Sequence, residues 1–254
     1  MFLLLTDTSG KDGFVGLVRT SEGQESGRLQ VIEEVALAGG TFSAQLIPQI
    51  SGLLEKHRIR KTDIGAFIVV SGPGSFTGLR VGLAAIKALA EILHTPIVPV
   101  SLLEVLAPHS QMIAAIHDAA GSHAVFPYAV ALDAGRKEAF VGRYEMVASE
   151  DDNFLRPVGE SLLSRENLAA LLESGEAHWI ATPDQTIFDA LTELVSESRR
   201  RFIRRNTRRP RSVEVGALGW QKLQAGATVS PEELEANYIR RSDAEIFAKP
   251  SSRS

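Results

Sequence analysis

The chain of 254 residues contains no cysteine, which excludes disulfide bonds, thiolate metal sites and a cysteine nucleophile. It also lacks a strong excess of either charge, with a formal net charge of −4. Hydrophobic residues make up 44% of the chain, enough to bury one large core or two smaller ones without covalent cross-links. This composition favours a globular protein from the cytosol.

Long uncharged hydrophobic runs are absent as well. The nearest approach is at residues 76–93, which three charged side chains interrupt, so we expect no membrane-spanning helix. The first five residues are apolar, but they lack a basic leader and reach Asp7 too soon for a signal peptide. We therefore expect a cytoplasmic protein that inserts into no membrane.

Three sequence patterns of catalytic sites are missing. A Walker-type phosphate loop requires Lys and then Ser or Thr directly after its last glycine, but Gly78 is followed by Leu79 and Arg80. The histidines, at positions 57, 94, 109, 117, 123 and 178, never have the i, i+4 spacing with which one helix presents two imidazoles to a metal ion. No Gly-x-Ser-x-Gly elbow surrounds Ser71 or Ser75. We predict no catalytic residue, metal site or cofactor.

The most informative segment spans residues 66–93. A β-branched run leads into the motif Gly72-Pro-Gly-Ser-Phe-Thr-Gly-Leu-Arg-Val-Gly82 and then into an almost unbroken apolar helix. We expect a Gly-Pro-Gly turn with positive φ angles and Ser75 as the helix N-cap. The first amides of such a helix are suited to binding an anion. The alternative is a tight strand-to-helix turn in which Gly78 and Gly82 let another backbone come close.

Two segments of the chain repeat each other. The segments at 7–16 and 133–142 share the initial aspartate, a lysine, an acidic residue and Phe-Val-Gly in register. The surrounding patterns predict two related α/β lobes, at residues 1–107 and 125–254, with a connection at 108–124. We predict strands at 2–6, 14–19, 29–36, 66–70, 97–100, 128–133, 139–144 and 178–181, and helices at 42–57, 75–93, 164–173, 185–197 and 213–225.

Five shorter motifs accompany the central one in this order: Leu5-Thr-Asp-Thr-Ser9, Leu46-Ile-Pro-Gln-Ile50, Pro99-Val-Ser-Leu-Leu-Glu104, Asp133-Ala-Gly-Arg-Lys-Glu138 and Asn237-Tyr-Ile-Arg-Arg241. Together they resemble the TsaB (YeaZ) family, the non-catalytic partner in bacterial synthesis of threonylcarbamoyladenosine on tRNA. The resemblance implies the two-lobed fold shared by actin, sugar kinases and Hsp70 (the ASKHA fold). It also implies that the chain is not itself an enzyme.

The resemblance further implies a set of partners. The first is a related, TsaD-like catalytic subunit, dependent on metal and ATP, that transfers threonylcarbamoyl to the tRNA adenosine beside the anticodon. A TsaE-like ATPase subunit, a homodimer of the isolated chain and tRNA within the complex complete the set.

Two helices carry these contacts in the family, and they correspond here to the helices predicted at 42–57 and 75–93. Both are more apolar than packing on one sheet face requires. This chain has Phe42-Ser43-Ala44 where many members have His-Ser-Glu, so we expect a more apolar interface. The expected partner interface comprises Phe42, Leu46, Ile47, Ile50, Leu54, Gly78, Gly82, Ala85, Ile86 and Leu89.

A run of eight arginines between residues 199 and 211 contains no acidic residue. The remainder of the chain has 19 basic and 31 acidic residues, a formal charge of −12, and this asymmetry indicates an anionic partner. Arg204, Arg205, Arg208 and Arg209 are the candidate tRNA contacts. The alternative is a solvated loop, which the sequence slightly favours because no aromatic platform is interleaved with the arginines.

Two other functions stay open at the level of sequence. One is an ATP-dependent kinase or transferase of the same fold, with Asp7 and Asp133 facing each other across the cleft. Aspartate is also an ordinary turn-former, and no glycine-rich adenosine loop is visible in the second half. The other is an RNA-binding module that uses the arginine run.

Overall fold

A computed structural model describes residues 1–20, 29–107, 125–148, 153–205 and 211–240. The predicted inter-lobe connection at 108–124 lies outside the described residues, as do Arg208 and Arg209. Within the described ranges, no helix is long and apolar enough to cross a membrane.

The first half of the chain forms a five-stranded sheet of order β3-β2-β1-β4-β5. Its elements are β1 (Phe2–Asp7), β2 (Gly13–Thr20), β3 (Leu29–Leu37), α1 (Phe42–Lys56), β4 (Ile64–Gly72), α2 (Phe76–Leu93), β5 (Ile97–Ser101) and α3 (Leu102–Leu106). β1, β2 and β3 are antiparallel, whereas β4 lies parallel to β1 and β5 lies parallel to β4.

The second half repeats this plan. Its elements are β6 (Val125–Gly135), β7 (Glu138–Ala148), β8 (Asn153–Ser164), α4 (Arg165–Ser174), β9 (Trp179–Thr182), α5 (Gln185–Leu194), α6 (Glu197–Arg200) and β10 (Ile203–Arg205). The sheet order β10-β9-β6-β7-β8 equals that of the first sheet when each strand is matched to its counterpart. The predicted pair of related α/β lobes is therefore confirmed. Asp7 is the last residue of β1, and Asp133 lies near the end of β6.

Hydrophobic packing divides into three layers. On β1 the side chains alternate, so that Leu4 faces α1 and α2 while Leu3 and Leu5 face the other lobe. The layer between the sheets also holds Tyr128 and the helix α7 (Ser212–Gln224), which packs on the first sheet. A third layer joins the second sheet to α4 and α5. Among the described residues, no layer of the first lobe covers the outer sides of α1 and α2.

The predicted elements exist, within a few residues of their predicted ends, except for one helix. The strands β8 and β10 and the helix α3 lie in segments where no element was predicted. The helix predicted at 185–197 is divided because Val195 has an extended backbone, after which Ser196 begins the short helix α6.

Candidate functional site

The central motif folds against the turn between β1 and β2. Gly72 has a positive φ of 126°, whereas Gly74 does not, so the predicted turn geometry is right for one glycine of the two. A Cβ atom on Gly74 would lie 2.2 Å from the carbonyl oxygen of Ser9. The amide of Ser75 donates to that same carbonyl at 2.7 Å, and the Ser75 hydroxyl accepts from the Gly78 amide at 3.2 Å. The predicted N-cap is confirmed.

The two glycines inside α2 are also in contact with this turn. A Cβ atom on Gly78 would lie 2.1 Å from the carbonyl oxygen of Thr8, and one on Gly82 would lie 2.2 Å from Thr8 Oγ1. The Thr8 hydroxyl donates to the Gly78 carbonyl at 2.8 Å. Gly78 and Gly82 therefore admit a neighbouring segment of their own lobe, as the tight-turn interpretation predicted.

A cleft of about 870 Å³ lies between the lobes. It is lined by the β1–β2 turn, the start of α2, the β6–β7 turn and the segment 237–240. Its charged lining residues are Lys11, Arg80, Asp133, Arg136, Asp184 and Arg240. This is the position at which an ATP-dependent protein of this fold would need catalytic carboxylates.

Both repeated aspartates act as turn-formers, and of the two only Asp133 lines this cleft. Asp7 is buried, and its Oδ1 accepts from the amide of Ser9 at 2.8 Å and from its hydroxyl at 2.6 Å. Asp133 Oδ1 accepts from the Gly135 amide at 3.0 Å, and its Oδ2 accepts from the Thr186 hydroxyl at 3.0 Å. Each carboxylate thus fixes the local backbone.

The segment 237–240 crosses the same cleft. The amide of Asn237 donates to the carbonyl of Ser71 at 2.8 Å, and its carbonyl oxygen would lie 3.0 Å from a Cβ on Gly72. The ring of Tyr238 packs on Phe76 with the centroids 4.9 Å apart. The chain's own C-terminal part therefore covers the Gly-Pro-Gly turn that a phosphate-binding loop would leave open.

A partly buried group of polar residues joins the lobes beside the cleft. Glu160 on β8 accepts hydrogen bonds from the hydroxyl of Ser101 and, at 2.5 Å, from the Asn237 amide group. Burial raises the pKa of Tyr128 and, together with the charge of Glu160, that of Tyr144. Both tyrosine rings pack in the core between the two sheets.

The ten residues predicted for the partner interface divide into two groups. Phe42, Leu46, Ile50, Leu54, Gly78, Gly82 and Ile86 are buried inside the first lobe. Ile47 is exposed, while Ala85 and Leu89 are partly exposed. Only these three reach the outer surface of the helix pair, because the other seven lie on the helix sides that pack on the sheet or on Thr8.

The outer surface of α1 and α2 nevertheless carries an uncharged row on each helix. We call these residues the α1–α2 face: Ala44, Ile47, Pro48 and Gly52 on α1, and Val81, Ala84, Ala85, Ala88, Leu89 and Ile92 on α2. Ile92 is 75% exposed and Ile47 is 44% exposed. The sequence indicated a second apolar contact for these helices, but periodicity alone did not show which row would be covered by the sheet.

The described part of the arginine run lies at the far end of the second lobe, on α6 and on the sheet-edge strand β10. The guanidinium carbon of Arg204 lies 4.4 Å from the ring centroid of Trp179, and that of Arg201 lies 4.7 Å from the ring centroid of Phe202. Aromatic rings therefore lie beneath two of the described arginines. Trp179 was missed because it is far from the run in sequence.

Metal-binding groups were sought throughout the described ranges. No group of three or more His, Asp or Glu side chains there is placed to hold a metal ion. Three of the histidines, at 109, 117 and 123, lie outside those ranges.

Comparisons with known proteins agree on one family. The family model described as TsaD, tRNA N6-adenosine threonylcarbamoyltransferase, matches residues 36–247. The tRNA threonylcarbamoyladenosine biosynthesis protein TsaB of Bacillus subtilis is 25% identical over 247 residues, which cover 96% of each chain. The Escherichia coli protein of the same description is 24% identical over 200 residues, covering 79% of this chain and 81% of its own. The solved structure of YeaZ from Pseudomonas aeruginosa has a TM-score of 0.66 at 22% identity and covers 94% of this chain and 100% of its own, a likeness of fold.

Proposed function

Because the chain belongs to the tRNA N6-adenosine threonylcarbamoyltransferase family, as a member of its TsaB (YeaZ) branch, we propose that it is a non-catalytic subunit in the synthesis of threonylcarbamoyladenosine on tRNA. It binds and supports the related catalytic subunit, which transfers the threonylcarbamoyl group to the adenosine beside the anticodon. The Bacillus subtilis relative named for this pathway matches 96% of the chain.

The observation that carries this proposal is the α1–α2 face. Its residues are small or apolar, uncharged, and exposed or partly exposed on two adjacent helices that already pack on their own sheet. An exposed apolar surface of this kind marks a protein-protein contact, because a monomer in water gains nothing from leaving it uncovered. Alanine, glycine and proline at its centre also allow helices of a partner to come close. The two helices correspond to those through which the family pairs.

The cleft supports a non-catalytic role. Asp7 and Asp133 hold turns through hydrogen bonds to their own neighbours, and the segment 237–240 lies across the Gly-Pro-Gly turn. A cleft of this kind has its phosphate-facing turns engaged in internal packing. We propose that the ATP-dependent chemistry resides in the catalytic subunit and that a third, ATPase subunit joins the complex.

The same face serves two associations in this proposal. In isolation it pairs with a second copy of the chain, and in the complex it pairs with the catalytic subunit. An obligate-type interface buries on the order of 2,000 Å² with an apolar centre. A charge placed at that centre would weaken the association by roughly several kcal/mol, because the charge loses its hydration when the interface forms.

The test replaces exposed residues of the face, so that folding is preserved. Ile47→Glu and Ile92→Glu are compared with Val158→Glu on β8, which is 53% exposed and lies on the other lobe. We expect the first two variants to keep the native melting temperature, to become monomeric and to lose the catalytic subunit in a pull-down. A reconstituted system should then fail to modify tRNA, while the Val158→Glu protein remains active. Folded face variants that still bind the catalytic subunit would overturn the proposal.

A further inference from the structure

Arginines and aromatic rings interleave at one edge of the second lobe. The guanidinium carbon of Arg204 lies over Trp179 at 4.4 Å, and that of Arg201 lies over Phe202 at 4.7 Å. Arg199 approaches the same phenylalanine ring at 6.0 Å, and the two rings pack edge to face with their centroids 5.1 Å apart. We call this group, together with the neighbouring Arg200 and Arg205, the Arg–aromatic cluster.

The fold creates this cluster from two distant segments. β10 pairs in parallel with β9, and this pairing places Ile203 opposite Ile180 and Arg204 opposite Ala181. Trp179 at the start of β9 is thereby brought under Arg204 of β10. Each ring is half-buried against the protein core on one side, so the rings are fixed and the arginines cover their outer sides.

Stacking prepares these arginines for binding an anion. A guanidinium group that lies on an aromatic ring uses its face for the cation–π contact and keeps its N–H donors in the plane, available for a phosphate group. Its conformational freedom is already reduced, so less entropy is lost when a phosphate binds. Arg204 is held further by a hydrogen bond of 2.5 Å from its Nη1 to the carbonyl of Arg201.

Four arginines of the cluster have no carboxylate partner among the described residues, in contrast to the ion-paired Arg60 and Arg156. Arg60 pairs with Asp63, and Arg156 pairs with Glu145. For Arg200, Arg201, Arg204 and Arg205, no ion pair with a carboxylate forms within the ranges that the structure describes. Glu173, which is nearby, accepts from the amide and hydroxyl of Ser196. The result is a compact cationic surface on a chain whose remaining charge is strongly negative.

We propose that the Arg–aromatic cluster is an RNA-binding surface that contacts the phosphate backbone of the tRNA. The inference rests on the proposed function, which supplies tRNA as the RNA that the complex handles. The surface belongs to the second lobe, whereas the α1–α2 face belongs to the first, so the cluster stays uncovered when the catalytic subunit is bound to that face. The phosphate backbone is recognised here by charge and by planar N–H donors, without selection for base sequence.

The test measures tRNA binding by the assembled complex as a function of salt concentration. The probe is a transcript of a tRNA with an adenosine beside the anticodon. The variant carries Arg200→Gln, Arg201→Gln, Arg204→Gln and Arg205→Gln. A control protein carries Arg60→Gln and Arg156→Gln, two arginines outside the cluster that pair with carboxylates. We expect the slope of log Kd against log salt to fall by roughly 0.7 to 0.9 for each phosphate group that the variant no longer binds, with no change in the control.

A second variant tests whether tRNA binding depends on the stacked guanidinium group or only on its positive charge. Arg204→Lys keeps the charge but removes the planar group that lies on Trp179, so we expect weaker tRNA binding with a largely retained salt slope. A native slope and a native Kd in the fourfold variant would overturn the inference. The arginines would then serve to protect the exposed edge strand β10 from pairing with another sheet.

The two proposals fail in different ways. In the fourfold variant, co-purification with the catalytic subunit reports on the proposed function, and the salt slope reports on the cluster. If the wild-type chain does not assemble with the catalytic subunit, the proposed function is overturned. If the complex assembles and the fourfold variant binds tRNA as the wild type does, only the RNA-binding surface is overturned.

Discussion

The carboxylate of Glu34 on β3 accepts hydrogen bonds from both the amide, at 2.7 Å, and the hydroxyl of Ser212, the first residue of α7. Arg211 adds a third hydrogen bond to the same carboxylate at 3.3 Å. A carboxylate at a helix N-terminus satisfies amides that have no partner in the helix and interacts favourably with the helix dipole. This contact fixes the C-terminal helix on the first lobe, although its sequence follows the second.

Replacement of Glu34 by Gln should destabilise the protein in a pH-dependent way. Burial raises the pKa of Glu34, but the hydrogen bonds from Ser212 and the charge of Arg211 outweigh it and hold the pKa below the ordinary value of 4.5. A lowered carboxyl pKa contributes stability above the unfolded pKa, and this contribution is lost as pH falls through the folded pKa. We expect a loss of about 1–3 kcal/mol at pH 7 in urea denaturation.

The difference between wild type and Glu34→Gln should shrink below about pH 4.5, where the unfolded carboxyl begins to bind its proton. Ser212→Ala provides a matched variant that removes the donor hydroxyl and keeps the helix. A difference that stays constant from pH 7 to pH 3 would contradict the assigned role of the Glu34 charge.

Alanine at Gly78 or Gly82 should destabilise the first lobe. The new Cβ atoms would lie 2.1 Å and 2.2 Å from atoms of Thr8, and overpacking of this kind costs about 1–3 kcal/mol or more. Gly52 on α1 offers the control, since a Cβ there meets nothing within 4 Å and Gly→Ala in a helix stabilises by about 0.5–1 kcal/mol. Thermal denaturation of the three variants measures both the expected loss of stability at Gly78 and Gly82 and the expected gain at Gly52. If Gly78→Ala and Gly82→Ala were as stable as the wild type, the turn at Thr8 would be able to move aside at little cost, contrary to this prediction.

Charges on the buried and exposed sides of α1 should have different effects. Leu46 and Ile50 are 1% and 3% exposed, so Leu46→Glu and Ile50→Glu bury a carboxylate and should unfold the lobe. Ile47→Glu, one residue further round the helix, should fold normally and fail only in association. Circular dichroism together with sedimentation separates the two results. If the Leu46→Glu protein folded normally and only failed to associate, Leu46 would belong to the partner interface, as the sequence predicted.

The sequence predicted the two-lobed plan because hydrophobic periodicity and turn residues are local signals. It missed β8 because Pro157 and Gly159 indicate a turn, although proline is tolerated at a sheet edge and Gly159, with φ of 158°, lies near the register shift on β8. Local sequence also did not show which residues of α1 lie on its exposed side. Leu46 and Ile47 are equally apolar in sequence, and only the packing on the sheet decides which of them is buried.

The Arg–aromatic cluster likewise could not be predicted from local sequence patterns. The contact between Trp179 and Arg204 depends on parallel pairing of β9 with β10, and a strand of three residues such as β10 gives little periodicity. The turn roles of Asp7 and Asp133, in contrast, follow from a motif that the sequence repeats and were among its predictions.

The isolated protein should neither hydrolyse Mg-ATP nor bind it with micromolar affinity, because Asp7 is engaged by Ser9 and the segment 237–240 lies over the Gly-Pro-Gly turn. Isothermal titration of the wild type with Mg-ATP measures this directly.

Asp7→Asn keeps an acceptor oxygen for Ser9 but loses its charge, so we expect the variant to be about 1–3 kcal/mol less stable than the wild type. At a temperature where the variant is folded, we expect unchanged tRNA modification in the reconstituted system. Asp133→Asn is the matched variant at the repeated position. Micromolar binding of Mg-ATP that either substitution abolishes would favour an ATP-dependent kinase or transferase over a scaffold.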